Sequence, residues 1–85
     1  HNFILGRIGS KDRLMAAVAA MVTDPNGMAK GYIPESPDII VHTKLINPGQ
    51  SETLDFTAPA EKGDYPYLCS FPGHAMLMNG TMKVE

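Results

Sequence analysis

Apolar positions change their spacing several times along this chain, and each change marks an element. Asn2, Phe3, Ile4 and Leu5 read as a short strand, and Gly6 to Gly9 as a loop. Leu14, Met15, Val18, Met21 and Val22 then recur at helical spacing, which predicts one amphipathic helix over about residues 11–22. Ser10 stands where a cap belongs, and Asp12 lies in the first turn, where negative charge meets the positive end of the helix dipole. Ala16, Ala17, Ala19 and Ala20 add helix propensity. Asp24-Pro25-Asn26-Gly27 ends the helix, because Pro cannot continue it and Gly suits a turn.

Residues 28–37 contain Gly31, Pro34 and Pro37 and read as loop. Asp38 to Ile46 is rich in β-branched residues and predicts a strand. Asn47-Pro48-Gly49-Gln50 places Pro and Gly where a type II turn wants them. Ser51 to Thr57 alternates, with Leu54 and Phe56 on one face, and predicts a return strand. Asp64 to Cys69 predicts another, with Tyr65, Tyr67 and Cys69 on one face. Pro66 costs that strand a ladder hydrogen bond, which points to an edge or a bulge. Ser70 to Gly80 reads as a compact loop and Thr81 to Val84 as a final strand. About five short strands and one inserted helix predict an antiparallel sandwich.

Composition narrows the class. Eighty-five residues make one domain at most, and a domain this small buries only about 60–65% of its unfolded surface. Chains of this size often lean on a metal, a disulfide or a partner. Formal net charge is -2, with Lys and Arg spread along the chain, which argues against a nucleic-acid footprint. No apolar run is long enough for a membrane span. Cys69 is the single cysteine, so no internal disulfide is possible. It is a packed thiol, a reactive thiol or a metal ligand. The opening His-Asn-Phe-Ile-Leu has no signal-peptide character, so the chain reads as a mature product or a piece of something longer.

The candidate chemistry lies in Cys69-Ser-Phe-Pro-Gly-His74-Ala-Met-Leu-Met78. This stretch puts a thiolate, an imidazole and a thioether within ten residues, with Pro72 and Gly73 forcing a tight turn between them. A thiolate and imidazoles in a trigonal plane, with a weak axial thioether, suit copper in both oxidation states. Zinc uses the same nitrogen and sulfur donors. Such a site needs a second imidazole, and the chain offers His1 and His42.

The spacing Cys-x4-His-x3-Met around Phe-Pro-Gly resembles the copper loop of azurins, within the cupredoxin family. His1-Asn2-Phe3 resembles the first-ligand segment of that family. Val41-His42-Thr43-Lys44-Leu45-Ile46 resembles a strand that carries no ligand, and Asn79-Gly80-Thr81-Met82 the turn and last strand. The Tyr-Pro-Tyr lead-in is also similar to auracyanin-like and fused bacterial cupredoxin domains. The resemblance runs from His1 to Glu85 and implies a Greek-key cupredoxin sandwich, here partial. Strands that precede the first copper histidine in azurins have no counterpart, so the chain reads as an N-terminally truncated single copper domain.

Carried over, the resemblance implies one type 1 copper on His1, Cys69, His74 and Met78, with Met76 the competing axial donor. It implies that Asn2 ties the two ligand-bearing segments by a hydrogen bond to Ser70, and that the Phe71 N–H donates to the Cys69 sulfur. It further implies a one-electron carrier in a periplasmic or otherwise exported setting. Redox proteins such as cytochromes would dock near Phe71, Pro72, His74 and Leu77. Alternatives are an electron-feeding domain of a larger enzyme, a copper store or delivery protein built on six Met, and an enzyme using the His1 amine and imidazole. A carrier binds one copper with no open position. A store binds several, and a catalyst needs an open position.

Overall fold

The fold is arranged around β1 (Ile4–Gly6). In the computed structural model, which describes residues 1–85, Ile4 and Leu5 point to opposite faces of a sheet, yet both are fully buried. β1 is therefore covered on both sides. Its neighbours are β2 (Ile39–His42) on one flank and β3 (Gly63–Leu68) on the other, with β4 (Asn79–Val84) beyond β3. The order is β2-β1-β3-β4 and every pairing is antiparallel. To reach β3, the chain leaving β2 must cross to the far side of β1, as Greek-key connections do.

The predicted helix forms as α1 (Lys11–Val22), between β1 and β2. Leu14, Val18 and Met21 are its buried positions, one stripe at four- and three-residue steps. Leu14 and Val18 join Ile4 and Leu68 in the core, with Met15, Ile33, Ile39 and Ala75 around them. Burying each such side chain contributes about 1.5–3 kcal/mol. The helix start sits directly on β1. A Cβ at Gly6 would collide with the Leu14 side chain and stand 2.6 Å from Ser10 Oγ, so any side chain there would force the buried Leu14 and Ser10 to shift. Arg13 then ties α1 to the start of β2 through a two-pronged bond to Asp38, Nε to Oδ2 and Nη2 to Oδ1, each 3.0 Å. That bond holds the Asp38 carboxyl below the usual carboxylate range.

Several local expectations change. Ser10 occupies the N-cap, and its carbonyl accepts from the Leu14 N–H at 2.8 Å, but its hydroxyl makes no cap bond. It donates instead to the Arg7 carbonyl at 2.6 Å, tightening the entry loop. Ser51 to Thr57 is not a strand. Its apolar alternation defines a face, but no strand lies alongside to form a ladder, and Phe56 stays partly exposed. Four strands therefore form one sheet. Pro66 lies on β3, which is interior in strand order and not an edge. It is tolerated there because the register with β1 ends at Leu5↔Tyr67, one residue short of Pro66. The strand predicted over 38–46 is regular only to His42. Beyond it the chain still runs beside the first residues, with the Thr43 N–H donating to the Phe3 carbonyl at 2.9 Å and the Ile46 N–H to His1 O at 2.8 Å. Gln50 N–H closes on the Asn47 carbonyl at 3.1 Å, with Gly49 at φ +81°, as the type II turn requires.

Candidate metal centre

The loop from Cys69 to Met78 joins β3 to β4, and its shape follows from local chemistry. Pro72 presets the first central position of a turn, and Gly73 takes φ +82°, a conformation that disfavours a side chain. His74 N–H then closes on the Phe71 carbonyl at 2.9 Å. The His74 carbonyl accepts from the N–H groups of Leu77 and Met78, at 3.0 and 2.7 Å. Cys69 N–H donates to the Met78 carbonyl at 3.0 Å and shuts the loop at its base. A thiol, an imidazole and a thioether are thereby held on one closed loop.

The second imidazole arrives from the far end of the sequence. Backbone bonds between His1 and Ile46, and from the Phe3 N–H to Thr43 Oγ1 at 2.9 Å, align the first residues. Asn2 makes the decisive link, as the resemblance implies. Its Nδ2 donates to Ser70 Oγ at 2.7 Å, and its Oδ1 accepts from the Ser70 N–H at 2.7 Å, both in buried surroundings. His1 and Cys69, the residues preceding this pair, are thus brought side by side.

Cys69 Sγ lies 3.9 Å from Nδ1 of His1 and 3.9 Å from Nδ1 of His74. All three donor atoms fall within 4.8 Å of one another, and no carboxylate belongs to the cluster. These separations suit a metal. Bonds of about 2.3 Å to sulfur and 2.0–2.1 Å to nitrogen set S···N at roughly 3.8 Å for a trigonal angle, and roughly 3.55 Å for a tetrahedral one. Both observed S···N separations, 3.9 Å, are of this order. Cys69 is 3% exposed, whereas His74 is half-buried and His1 exposed. The two imidazoles lie 4.8 Å apart, centroid to centroid, and Phe71 flanks His74 at 5.0 Å.

The two candidate axial residues separate in space. Met78 lines a cleft with Asn2, Phe3, Tyr67, Leu68, Cys69 and Asn79. Met76 is 85% exposed and lines a different groove, between the loop and α1. His42 is exposed on β2, with Nδ1 facing the Thr43 carbonyl at 3.2 Å, away from the cluster. The expected bond from the Phe71 N–H to the Cys69 sulfur does not form; the hydrogen-bonding neighbours of Sγ are the two imidazoles. Two backbone acceptors escaped the sequence reading. Asn2 Nδ2 also donates to the Gly31 carbonyl at 3.0 Å, and Ser70 Oγ donates to the Tyr32 carbonyl. Residues 28–37 read only as loop, and a Gly before a bulky residue is too faint a signal to assign such a role.

A thiolate and two imidazoles gathered at one end of a Greek-key-type antiparallel sheet define a soft-donor metal-binding β-protein. The chain belongs to the plastocyanin/azurin family of copper binding proteins, whose model matches residues 1–85. It is 34% identical over 90 residues to azurin of Pseudomonas aeruginosa, across 100% of this chain and 56% of that protein. It is 36% identical over 86 residues to auracyanin-A of Chloroflexus aurantiacus, across 100% of this chain and 51% of that protein. Its fold superposes with a TM-score of 0.76 on dithionite-reduced auracyanin of the photosynthetic bacterium Roseiflexus castenholzii, at 36% identity, covering 100% of this chain and 66% of that one. The chain therefore spans between half and two thirds of the length of these relatives. The four-stranded sheet with its single helix is cupredoxin structure, and copper is the metal of the family.

Proposed function

We propose that residues 1–85 act as a single type 1 blue-copper unit that carries one electron at a time. His1, Cys69 and His74 would hold the copper through a thiolate and two imidazoles, and Met78 would add a weak thioether. The observation that carries this reading is the position of Cys69 Sγ, equidistant at 3.9 Å from both imidazole Nδ1 atoms. Copper held there would supply a one-electron couple, which this donor set suits in both states.

The chain's own residues make such a site rigid. Asn2 and Ser70 are buried and mutually bonded, so the His1 and Cys69 segments are locked together. The closed loop fixes His74 and Met78 relative to Cys69. Donors fixed in this way change little between the two states, which keeps the reorganisation cost of electron transfer low. Burial of Cys69 keeps water from the thiolate, while the half-buried His74 offers an edge to the outside. Around that edge stand Phe71, Pro72 and the 87%-exposed Leu77. A redox protein such as a cytochrome docks on this apolar rim through a small, transient interface. The similar auracyanin was described in a dithionite-reduced form, which supports redox cycling in this family. Bound by all four residues, copper would have no open position, which fits a carrier; the similar azurin and auracyanin support the same reading and an exported setting.

Titration of the chain with Cu(II), followed by visible absorption and electron paramagnetic resonance, tests the reading. One equivalent produces an intense thiolate-to-copper band that Cys69→Ala and His74→Ala abolish. Met78→Leu shifts the spectrum and Met76→Leu leaves it unchanged. A colourless complex, or saturation only at several equivalents, overturns the assignment.

A further inference from the structure

We propose that Tyr32 is a positioning residue for the imidazole of His74, acting through Phe71; the consequence for copper rests on the functional reading above. Tyr32 is the only non-glycine residue at positive φ, 56°, and it follows Gly31 at φ 63°. A bulky side chain is disfavoured in this left-handed conformation, so the surrounding structure must hold it there. Three bonds do so. Tyr32 N–H donates to the Gly27 carbonyl at 2.9 Å, Ser70 Oγ donates to the Tyr32 carbonyl at 2.5 Å, and Asn2 Nδ2 donates to the Gly31 carbonyl at 3.0 Å. The turn is thereby attached to both segments that bring His1 and Cys69 together.

The side chain continues the same contact. The Tyr32 ring meets Phe71 edge-on, with centroids 5.7 Å apart and planes at 73°. Phe71 in turn lies 5.0 Å from the His74 ring, whose other flank is His1 at 4.8 Å. His74 has no hydrogen-bonded side-chain partner beyond the Cys69 contact, so its orientation depends on these ring contacts. Phe71 sits on a half-exposed loop and cannot brace His74 unless something braces Phe71. Tyr32 supplies that support, from a turn whose backbone is already fixed to the buried Asn2–Ser70 pair. The order of contacts is Tyr32, Phe71, His74, each aromatic at a separation typical of favourable ring pairs.

Two substitutions separate the ring from the backbone. Tyr32→Gly deletes the ring but installs the residue that adopts positive φ freely, so the carbonyl acceptors persist and the chain still folds. Tyr32→Phe keeps the ring. In metal-free protein, nuclear magnetic resonance of the His74 Cε1–Hε1 group is expected to report one ordered ring in the parent and in Tyr32→Phe. In Tyr32→Gly it broadens, while the protected Asn2 side-chain amide is unchanged. In copper-loaded protein, release to a chelator is expected to be roughly tenfold faster in Tyr32→Gly, the size of effect typical of groups that orient a metal ligand. Tyr32→Phe restores the parent rate. A His74 signal and a release rate in Tyr32→Gly indistinguishable from the parent overturn the proposal. So does equal disruption in Tyr32→Phe. Should the parent form no blue complex, the functional reading fails by itself, and the metal-free comparison still decides whether Tyr32 braces His74.

Discussion

Asn2→Ala is the perturbation whose cost can be worked out most directly. The Asn2 side chain makes three hydrogen bonds: Nδ2 to Ser70 Oγ at 2.7 Å, Nδ2 to the Gly31 carbonyl at 3.0 Å, and Oδ1 from the Ser70 N–H at 2.7 Å. Each contributes about 1 kcal/mol net. Truncation also strands the Ser70 N–H, in a residue with no exposed surface, and an orphaned buried donor costs about 1–3 kcal/mol. The N–H bond and its orphaning are one loss, so the expected total is about 3–5 kcal/mol. A chain of this length has roughly 4–13 kcal/mol of total stability, so this single change removes a large share. Thermal unfolding of the metal-free protein should show a midpoint lowered by at least about 12 °C. Ser70→Ala removes the Oγ bonds but leaves its N–H on Asn2 Oδ1. A double-mutant cycle between the two should therefore show coupling of about 1 kcal/mol, the Nδ2–Oγ bond alone. A loss below about 1 kcal/mol in Asn2→Ala, or strict additivity in the cycle, would refute the claim that this pair locks the two donor segments together.

Two further outcomes follow from the scaffold. Leu14→Ala opens a cavity at a fully buried position beside Ile4, Val18 and Leu68, and should cost about 2–5 kcal/mol in urea unfolding. A surface-like loss of a few tenths would show that α1 does not seal the core. Asp38→Asn tests the Arg13 bond through pH. The bonded guanidinium lowers the Asp38 carboxyl in the folded state, so its stabilisation is present above the unfolded value near pH 3.9 and fades as pH falls through the lower folded value. The variant should be less stable at neutral pH, converge on the parent as pH falls below the lowered folded value, and be flatter in between. Equal stability at both ends would show that this exposed pair contributes nothing.

Sequence and structure divide this protein along a physical line. Whatever depends on neighbours within a few residues could be read directly. The stripe of Leu14, Val18 and Met21 predicted α1, because a helix fixes its own periodicity. Pro48-Gly49 and Pro72-Gly73 predicted their turns, because ring closure and the absence of a Cβ restrict the backbone locally. The candidate donors on the 69–78 loop were legible because Pro72-Gly73 turns the chain between Cys69 and His74.

What required partners distant in sequence was legible only where a family resemblance supplied it, as with His1 and the Asn2–Ser70 pair, 68 residues apart. Elsewhere it was decided by the tertiary structure. Ser51 to Thr57 has a strand's alternation but no partner to complete a ladder. Pro66 sits inside the sheet because β1 stops pairing one residue short of it. The Ser10 hydroxyl serves the Arg7 carbonyl and not the helix. Tyr32 takes a conformation its own side chain disfavours because Gly27, Asn2 and Ser70 hold the turn from three directions. Local sterics are written in adjacent residues. Hydrogen bonds across the fold exist only once the chain has closed on itself, and these bring the imidazole of His1 to the thiol of Cys69.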